Sequence, residues 1–187
     1  AMAGQQFRLL RRRRFGPFFA TQALGAFNDN VFKNALVILV AFQLPGLSGA
    51  QVDFYSNLAA GLFILPFFLF SALAGQWAER QEKAGAIRRI KLLEIAIMAA
   101  AALALWLKSL PLLLAVLFLT GVQSALFGPL KYSILPQALR PRELVGGNAL
   151  VEAGTFLAIL LGTMLGGWLM NVPGHGPLLT GVAVLGL

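Results

Sequence analysis

The sequence predicts an all-α integral membrane protein, built as a bundle of six helices of which the sixth is incomplete. Three observations carry that prediction. Of 187 residues, 58% are hydrophobic and 12% charged, with a mean hydropathy of +0.78, far from the balance of a soluble domain. The apolar residues fall in segments of about 20 or more, the length a helix needs to cross a hydrocarbon core about 30 Å thick. The Lys and Arg residues between those segments alternate from one loop to the next, as topology requires.

The first segment, residues 15–43, follows a basic stretch, residues 1–14, that carries Arg8 and Arg11 to Arg14. It is too long and too polar at its centre for a cleaved signal peptide, so it is expected to remain as the first membrane helix. The second segment, 54–77, follows QLPGLSGAQVD, which has no Lys or Arg. The third, 88–107, is preceded by ERQEKAGAIRRIK, with Arg80, Lys83, Arg88, Arg89 and Lys91. Lys108 alone precedes the fourth, 110–134; Arg140 and Arg142 precede the fifth, 146–170; and NVPGHGP, with neither, precedes the sixth. The sixth begins near Pro177 and reaches Leu187, too short a run to cross a bilayer, so the chain is expected to be part of a larger protein. The basic flanks, the N-terminus included, are expected on the cytoplasmic side, with the arginines serving as orientation signal and lipid-headgroup anchors. That distribution also excludes a nucleic-acid interface: the net charge of +8 sits in short clusters between apolar runs, not on one polar domain.

Polar residues inside the apolar segments are patterned. At about 100° per residue, Gln22, Gly25, Ala26, Asp29 and Lys33 fall in one stripe of the first helix, and Asn30 and Asn34 widen it on one side. Asn28 lies opposite, where a hydrogen bond to a neighbouring helix is the expected use. Thr120, Gln123, Ser124, Phe127 and Lys131 form a similar face on the fourth segment, and Asn148, Glu152, Thr155 and Thr163 on the fifth. The third carries only Lys91 and Glu94 at its start, which suits a helix that faces lipid or packs at the back. A charged side chain at mid-membrane costs about 2.5–3.5 kcal/mol, so Asp29, Lys33, Lys131 and Glu152 are expected to face the bundle interior or a water-filled cavity. Two arrangements are open. Asp29 pairs with Lys33 along its helix and Lys131 with Glu152 across helices, or the four charges line a pathway for a zwitterionic or amphipathic solute. The added presence of Asn28, Asn30, Asn34, Gln123 and Asn148, more polar groups than packing requires, favours the pathway. Gly154, Ala158, Gly162 and Gly166 recur every four residues, the small-residue pattern that lets helix backbones approach closely. Pro66, Pro129 and Pro136 interrupt helical hydrogen bonding, and the freed carbonyls can line a cavity or permit bending.

Covalent chemistry finds no support. There is no Cys, hence no disulfide or thiolate metal site, and no phosphate-binding loop ending in Gly-Lys-Ser/Thr. The sole histidine, His175, has Thr180 where a His-x-x-x-x-Asp acyltransferase needs Asp. No metal, no cofactor and no enzymatic activity are expected.

The stretch GQWAER, with Gly75, Glu79 and Arg80 followed by Lys83, Arg88 and Arg89, resembles the signature loop between helices two and three of the major facilitator superfamily, with wider spacing of its basic residues. FATQALGAFNDNVFKNAL (19–36), SALFGPLKYSILPQ (124–137) and GGNALVEAGTFLAILLGTMLGGWL (146–169) are similar to the lysophospholipid-transporter branch of that superfamily, most of all to the form fused to an acyltransferase and an acyl-carrier-protein (ACP) ligase. The resemblance runs over nearly the whole chain. It implies a fold of twelve helices in two six-helix halves about a central cavity, the first and fourth helices lining it and the third and sixth outside. This chain would be the N-terminal six-helix half-bundle, without the second half. It further implies a carrier of the bacterial inner membrane that brings lysophospholipids, chiefly lysophosphatidylethanolamine, from the outer to the cytoplasmic leaflet. The partners implied are membrane lipids, the second six-helix half and a fused or associated acyltransferase/acyl-ACP ligase that re-acylates the product. On that reading Asp29 and Glu152 receive the ethanolamine ammonium and Lys33 and Lys131 the phosphate, assisted by Asn30 and Asn148. Asn34 and Gln123 complete the wall, and Glu79 and Arg80 hold the cytoplasmic ends of two helices together in one state. Two other readings compete. LGTMLGGW (161–168) approximates the Gly-Pro-x-x-Gly-Gly pattern of drug/proton antiporters, with Thr163 in place of the proline. Alternatively, the half-bundle anchors a fused lipid-modifying enzyme and transports nothing.

Overall fold

The computed structural model describes residues 6–187, and every regular element among them is helical; residues 1–5 of the basic N-terminal segment lie outside the described residues. A 3-10 helix, Gln6–Arg11, leads into α1 (Gly16–Ile38), which Pro17 opens at a position whose N–H would have no helical partner. α1 runs on through a π-helical turn, Leu39–Gln43. α2 (Gly49–Arg80) starts at a capping box in which the Ser48 hydroxyl accepts from the Gln51 N–H and the Gln51 side chain accepts from the Ser48 N–H. α3 (Lys83–Leu107) is capped by Glu82, whose carboxylate accepts from the backbone N–H groups of Ala84 and Gly85. Lys108, at φ 50° in the left-handed region, closes α3. α4 (Leu110–Ala138), a 3-10 turn (Pro141–Glu143), α5 (Leu144–Met170) and α6 (Gly176–Gly186) complete the order.

The stretch 78–87, expected as a loop, is almost wholly helical. Only Gln81 and Glu82 separate α2 from α3, because the Ala, Glu, Lys and Arg residues on either side are good helix formers and Glu82 supplies the cap. Hydropathy marks where a helix is apolar, not where its hydrogen bonds stop. α2, α3, α4 and the stretch Pro141–Met170 are each long and apolar enough to cross a membrane. α1 has comparable length, 23 residues, diluted by its polar stripe, and α6 is an apolar helix of 11 residues. Phe68, Phe156 and Trp168 are 79%, 67% and 68% exposed. Large apolar groups standing free in this way match a hydrocarbon surround rather than water.

α1 lies along α5 and α2 along α4, while α3 contacts both α4 and α6. The α1–α5 contact is backbone-close, because the stripe Gly154, Ala158, Gly162 and Gly166 is the buried face of α5. A Cβ on Gly162 would collide with the Phe27 carbonyl, and one on Gly166 would lie 2.6 Å from the Val31 carbonyl oxygen. Asn34 and Gln43 fasten the same contact by donating to the carbonyls of Thr163 (2.7 Å) and Met170 (2.8 Å). Gly121 of α4 gives α2 a similar approach, 2.5 Å from a would-be Cβ to the Phe63 carbonyl oxygen, beside Pro66, which has no N–H for the α2 ladder. The main apolar core joins Phe32, Leu36 and Leu39 to Met98 and Leu105 of α3 and Leu113 and Leu117 of α4.

At the basic end, Arg12 and Arg14 both reach Glu143 (3.2 and 2.6 Å), which also accepts from the Arg140 N–H (2.9 Å). This clamp ties the N-terminal segment to the turn before α5, over an apolar cluster that includes Leu9, Phe15, Leu139 and Val151.

Two outcomes are expected. Gly162→Leu overpacks the α1–α5 contact and should cost about 1–3 kcal/mol, read as a lowered thermal midpoint in detergent, whereas Gly61→Ala, with nothing within 4 Å of its Cβ, should leave the midpoint unchanged or raise it. The chain has no Cys, so spin labels on cysteines introduced at Arg13 and Arg142 report the clamp alone. Glu143→Ala should broaden their distance distribution, and an unchanged distribution would show that the clamp does not order the segment.

Candidate functional site

Four charged side chains enter the bundle on α1, α4 and α5, and none of them pairs with another. The ion pairs among the described residues are Arg12–Glu143, Arg14–Glu143 and Lys91–Glu94. The pairs open on sequence grounds, Asp29 with Lys33 and Lys131 with Glu152, are therefore not formed. Asp29 is 8% exposed; its Oδ2 accepts from the Ser124 hydroxyl of α4 (3.2 Å) and its Oδ1 has no partner. Lys33, one turn on, is drawn away from Asp29 to α2, where its ammonium lies 4.0 Å from the Phe63 ring centroid.

Closer to the basic end, α4 and α5 make a second group. Lys131 Nζ donates to the Thr155 hydroxyl oxygen (3.2 Å), which lies 2.9 Å from the Val151 carbonyl and 3.1 Å from Gln22 Oε1. Tyr132, the next residue, donates its hydroxyl to Glu152. Ser124 and Lys131 are seven residues apart on α4, hence on one face and about 10 Å apart along the axis. Asp29 with Lys33, and Lys131 with Glu152, thus stand at two levels, each an acid and a base held by neutral partners.

The remaining polar residues divide between packing and the wall. Asn28 donates to the Val184 carbonyl of α6 (3.0 Å), Asn30 to the Ala26 carbonyl of its own helix (2.7 Å) and Asn34 to α5. Asn148 is exposed near the start of α5 and joins neither level. Gln123 turns to α3 and donates to Glu94 (3.1 Å), which is itself paired with Lys91 (2.5 Å). Ser124 Oγ also lies 3.4 Å from Gln123 Oε1, so α4 connects Asp29 to Glu94.

Glu94 and Lys91 are the residues that sequence reasoning undervalued. Hydropathy puts the start of the apolar segment beside them, but α3 starts at Lys83, which places Glu94 eleven residues, about 17 Å, along the helix. The Lys–Glu spacing of three, in front of an apolar run, was the available signal. Tyr132 carries no charge and follows Lys131 directly on α4, so neither charge nor helical spacing marks it in the sequence.

The signature stretch also differs from expectation. Glu79 and Arg80 are exposed in the last turn of α2 and Arg88 is exposed on α3, and among the described residues none of the three bonds a second helix. Lys83 donates instead to the Ala78 carbonyl, closing the end of α2 from the first residue of α3, and Glu82 caps α3. Gly75 has open space where a Cβ would stand.

The family model for the Major Facilitator Superfamily matches residues 18–187. The lysophospholipid transporter LplT of Serratia proteamaculans (strain 568) is 30% identical over 150 residues, covering 80% of this chain and 35% of that protein. The protein of the same name from Photorhabdus laumondii is 31% identical over 151 residues, covering 81% of this chain and 35% of that protein. The chain spans about a third of the length of the curated relatives it matches. No solved structure matches it. With the family match running along nearly the whole of an all-α bundle whose helices are long and apolar enough to cross a membrane, the chain belongs to the Major Facilitator Superfamily.

Proposed function

We propose that this chain is the N-terminal part of a secondary transporter for lysophospholipids, and that its interior charges receive the headgroup. One observation carries the reading: Asp29, Lys33, Lys131 and Glu152 are each held by a neutral partner, so their charges are left for a solute. Asp29 keeps an oxygen with no donor among the described residues, Lys33 lies over the Phe63 ring, and Lys131 donates to the Thr155 hydroxyl beside the Tyr132 ring. Structural ion pairs would be closed; these groups are satisfied enough to be buried and open enough to bind. An acid and a base at each of two levels suit a zwitterion such as phosphoethanolamine, with Asp29 or Glu152 taking the ammonium and Lys33 or Lys131 the phosphate. Because the levels are about 10 Å apart, one headgroup meets them in succession rather than together. Asn30 is the neighbour of Asp29 on α1 and Asn148 lies one turn before Glu152 on α5, the positions from which they would assist. The names of the relatives support a lysophospholipid substrate.

The rest of the proposal follows from charge and topology. The arginine-rich end faces the cytoplasm of a bacterium with the protein in its inner membrane, by the excess of Lys and Arg there. Movement runs from the outer to the inner leaflet, the single acyl chain lying between this half and a second six-helix half. An associated or fused acyltransferase/acyl-ACP ligase re-acylates the product.

In vesicles containing the full-length carrier, Asp29→Asn and Lys131→Ala should each slow lysophosphatidylethanolamine flipping about tenfold or more, as loss of a charged hydrogen bond of about 1.5–3 kcal/mol implies. Parental rates in both variants would sink the assignment. Glu79→Ala should shift the balance of conformations reported by labels at the two ends of the bundle without changing lysolipid affinity. A fall in affinity with no such shift would place the signature stretch in the binding site instead.

A further inference from the structure

We propose that Tyr132 is a positioning residue: by donating its hydroxyl to Glu152 it keeps that carboxylate off Lys131, so the ammonium stays available to an anionic headgroup. The inference rests on the reading that Lys131 receives a phosphate. Lys131 and Tyr132 are consecutive on α4, while Glu152 and Thr155 are one turn apart on α5, with Cβ atoms of such neighbours about 5–6 Å apart. Four side chains so placed can pair in two ways. Coulomb attraction in a medium of low dielectric favours Lys131 with Glu152. The structure holds the other pairing, in which Lys131 donates to Thr155 (3.2 Å) and Tyr132 donates to Glu152.

Two features maintain that choice. The Tyr132 hydroxyl occupies a Glu152 oxygen, and the Tyr132 ring lies 5.2 Å from Lys131 Nζ, so the tyrosine borders both charged groups. Thr155 is oriented by its own contact with the Val151 carbonyl (2.9 Å), which turns its lone pairs toward the ammonium. Lys131 then has two N–H groups for a ligand, and no ion pair must break before a phosphate binds. Tyr132 is 47% exposed, so the group is open to a ligand from outside the bundle.

The test uses the full-length carrier in vesicles and two readouts. Tyr132→Phe retains the ring and removes only the hydrogen bond. The labelling rate of Lys131 by an amine-reactive reagent, followed by mass spectrometry, should fall severalfold in Tyr132→Phe, because an ion pair with Glu152 occupies the ammonium. It should return to the parental rate in Tyr132→Phe/Glu152→Gln. Binding of lysophosphatidylglycerol, whose headgroup has no ammonium and so does not call on Glu152, should weaken about tenfold in the single variant, by loss of a contact to a charged group. It should recover in the double variant. An unchanged labelling rate in Tyr132→Phe, or a fall that Glu152→Gln does not reverse, overturns the positioning role. Labelling that follows the expected pattern while lysophosphatidylglycerol binding stays flat upholds the positioning role and removes the phosphate role of Lys131.

Discussion

A charge inside a membrane bundle must be satisfied without water, and at Asp29, Lys33, Lys131 and Glu152 that constraint is met by neutral groups. Ser124 serves Asp29, the Phe63 ring serves Lys33, Thr155 serves Lys131 and Tyr132 serves Glu152. An ion pair would satisfy two charges at once, but it would also cancel them. Neutral partners lower the cost of burial while leaving net charge at defined places. The partners stand on neighbouring helices, so helix approach and site chemistry depend on each other.

The α1–α5 contact shows the dependence most directly. A Cβ on Gly154 would lie 2.6 Å from the Phe19 ring and 3.4 Å from Gln22 Nε2, and Gln22 in turn contacts Thr155, which holds Lys131. The small-residue stripe is thus the floor of the polar group as well as a packing device. On the other side, Gly121 brings α4 against α2 near Phe63, the ring beneath Lys33. Glycines set the distances between helices, and those distances decide which polar side chains can meet.

α3 carries more than its expected place at the back of the bundle. Glu94 and Lys91 form the one ion pair outside the basic end among the described residues, and Gln123 and Ser124 connect that pair to Asp29. A Cβ on Gly25 would lie 2.6 Å from Lys91 Nζ, so α1 approaches the pair as closely as its backbone allows. The paired charges on this side and the unpaired ones elsewhere divide the polar interior into a closed region and an open one.

What the sequence alone determined is what depends on composition and period: an all-α membrane bundle, the polar faces of α1, α4 and α5, and the small-residue stripe of α5. Helical spacing is a local property, and a residue's angle around its own axis can be read without knowing its neighbours. The tertiary structure decided which polar groups meet. Asp29 and Lys33 share a face and yet diverge, because Ser124 and Phe63 approach from different helices. Lys131 and Glu152 face each other's helices and yet bond to Thr155 and Tyr132 instead of to each other. Helix ends were misplaced where charged helix formers continue past the apolar window, and that error hid the depth of Glu94. Pairing across helices depends on their rotation and separation, which arise from the whole packed bundle and are not encoded in any one segment.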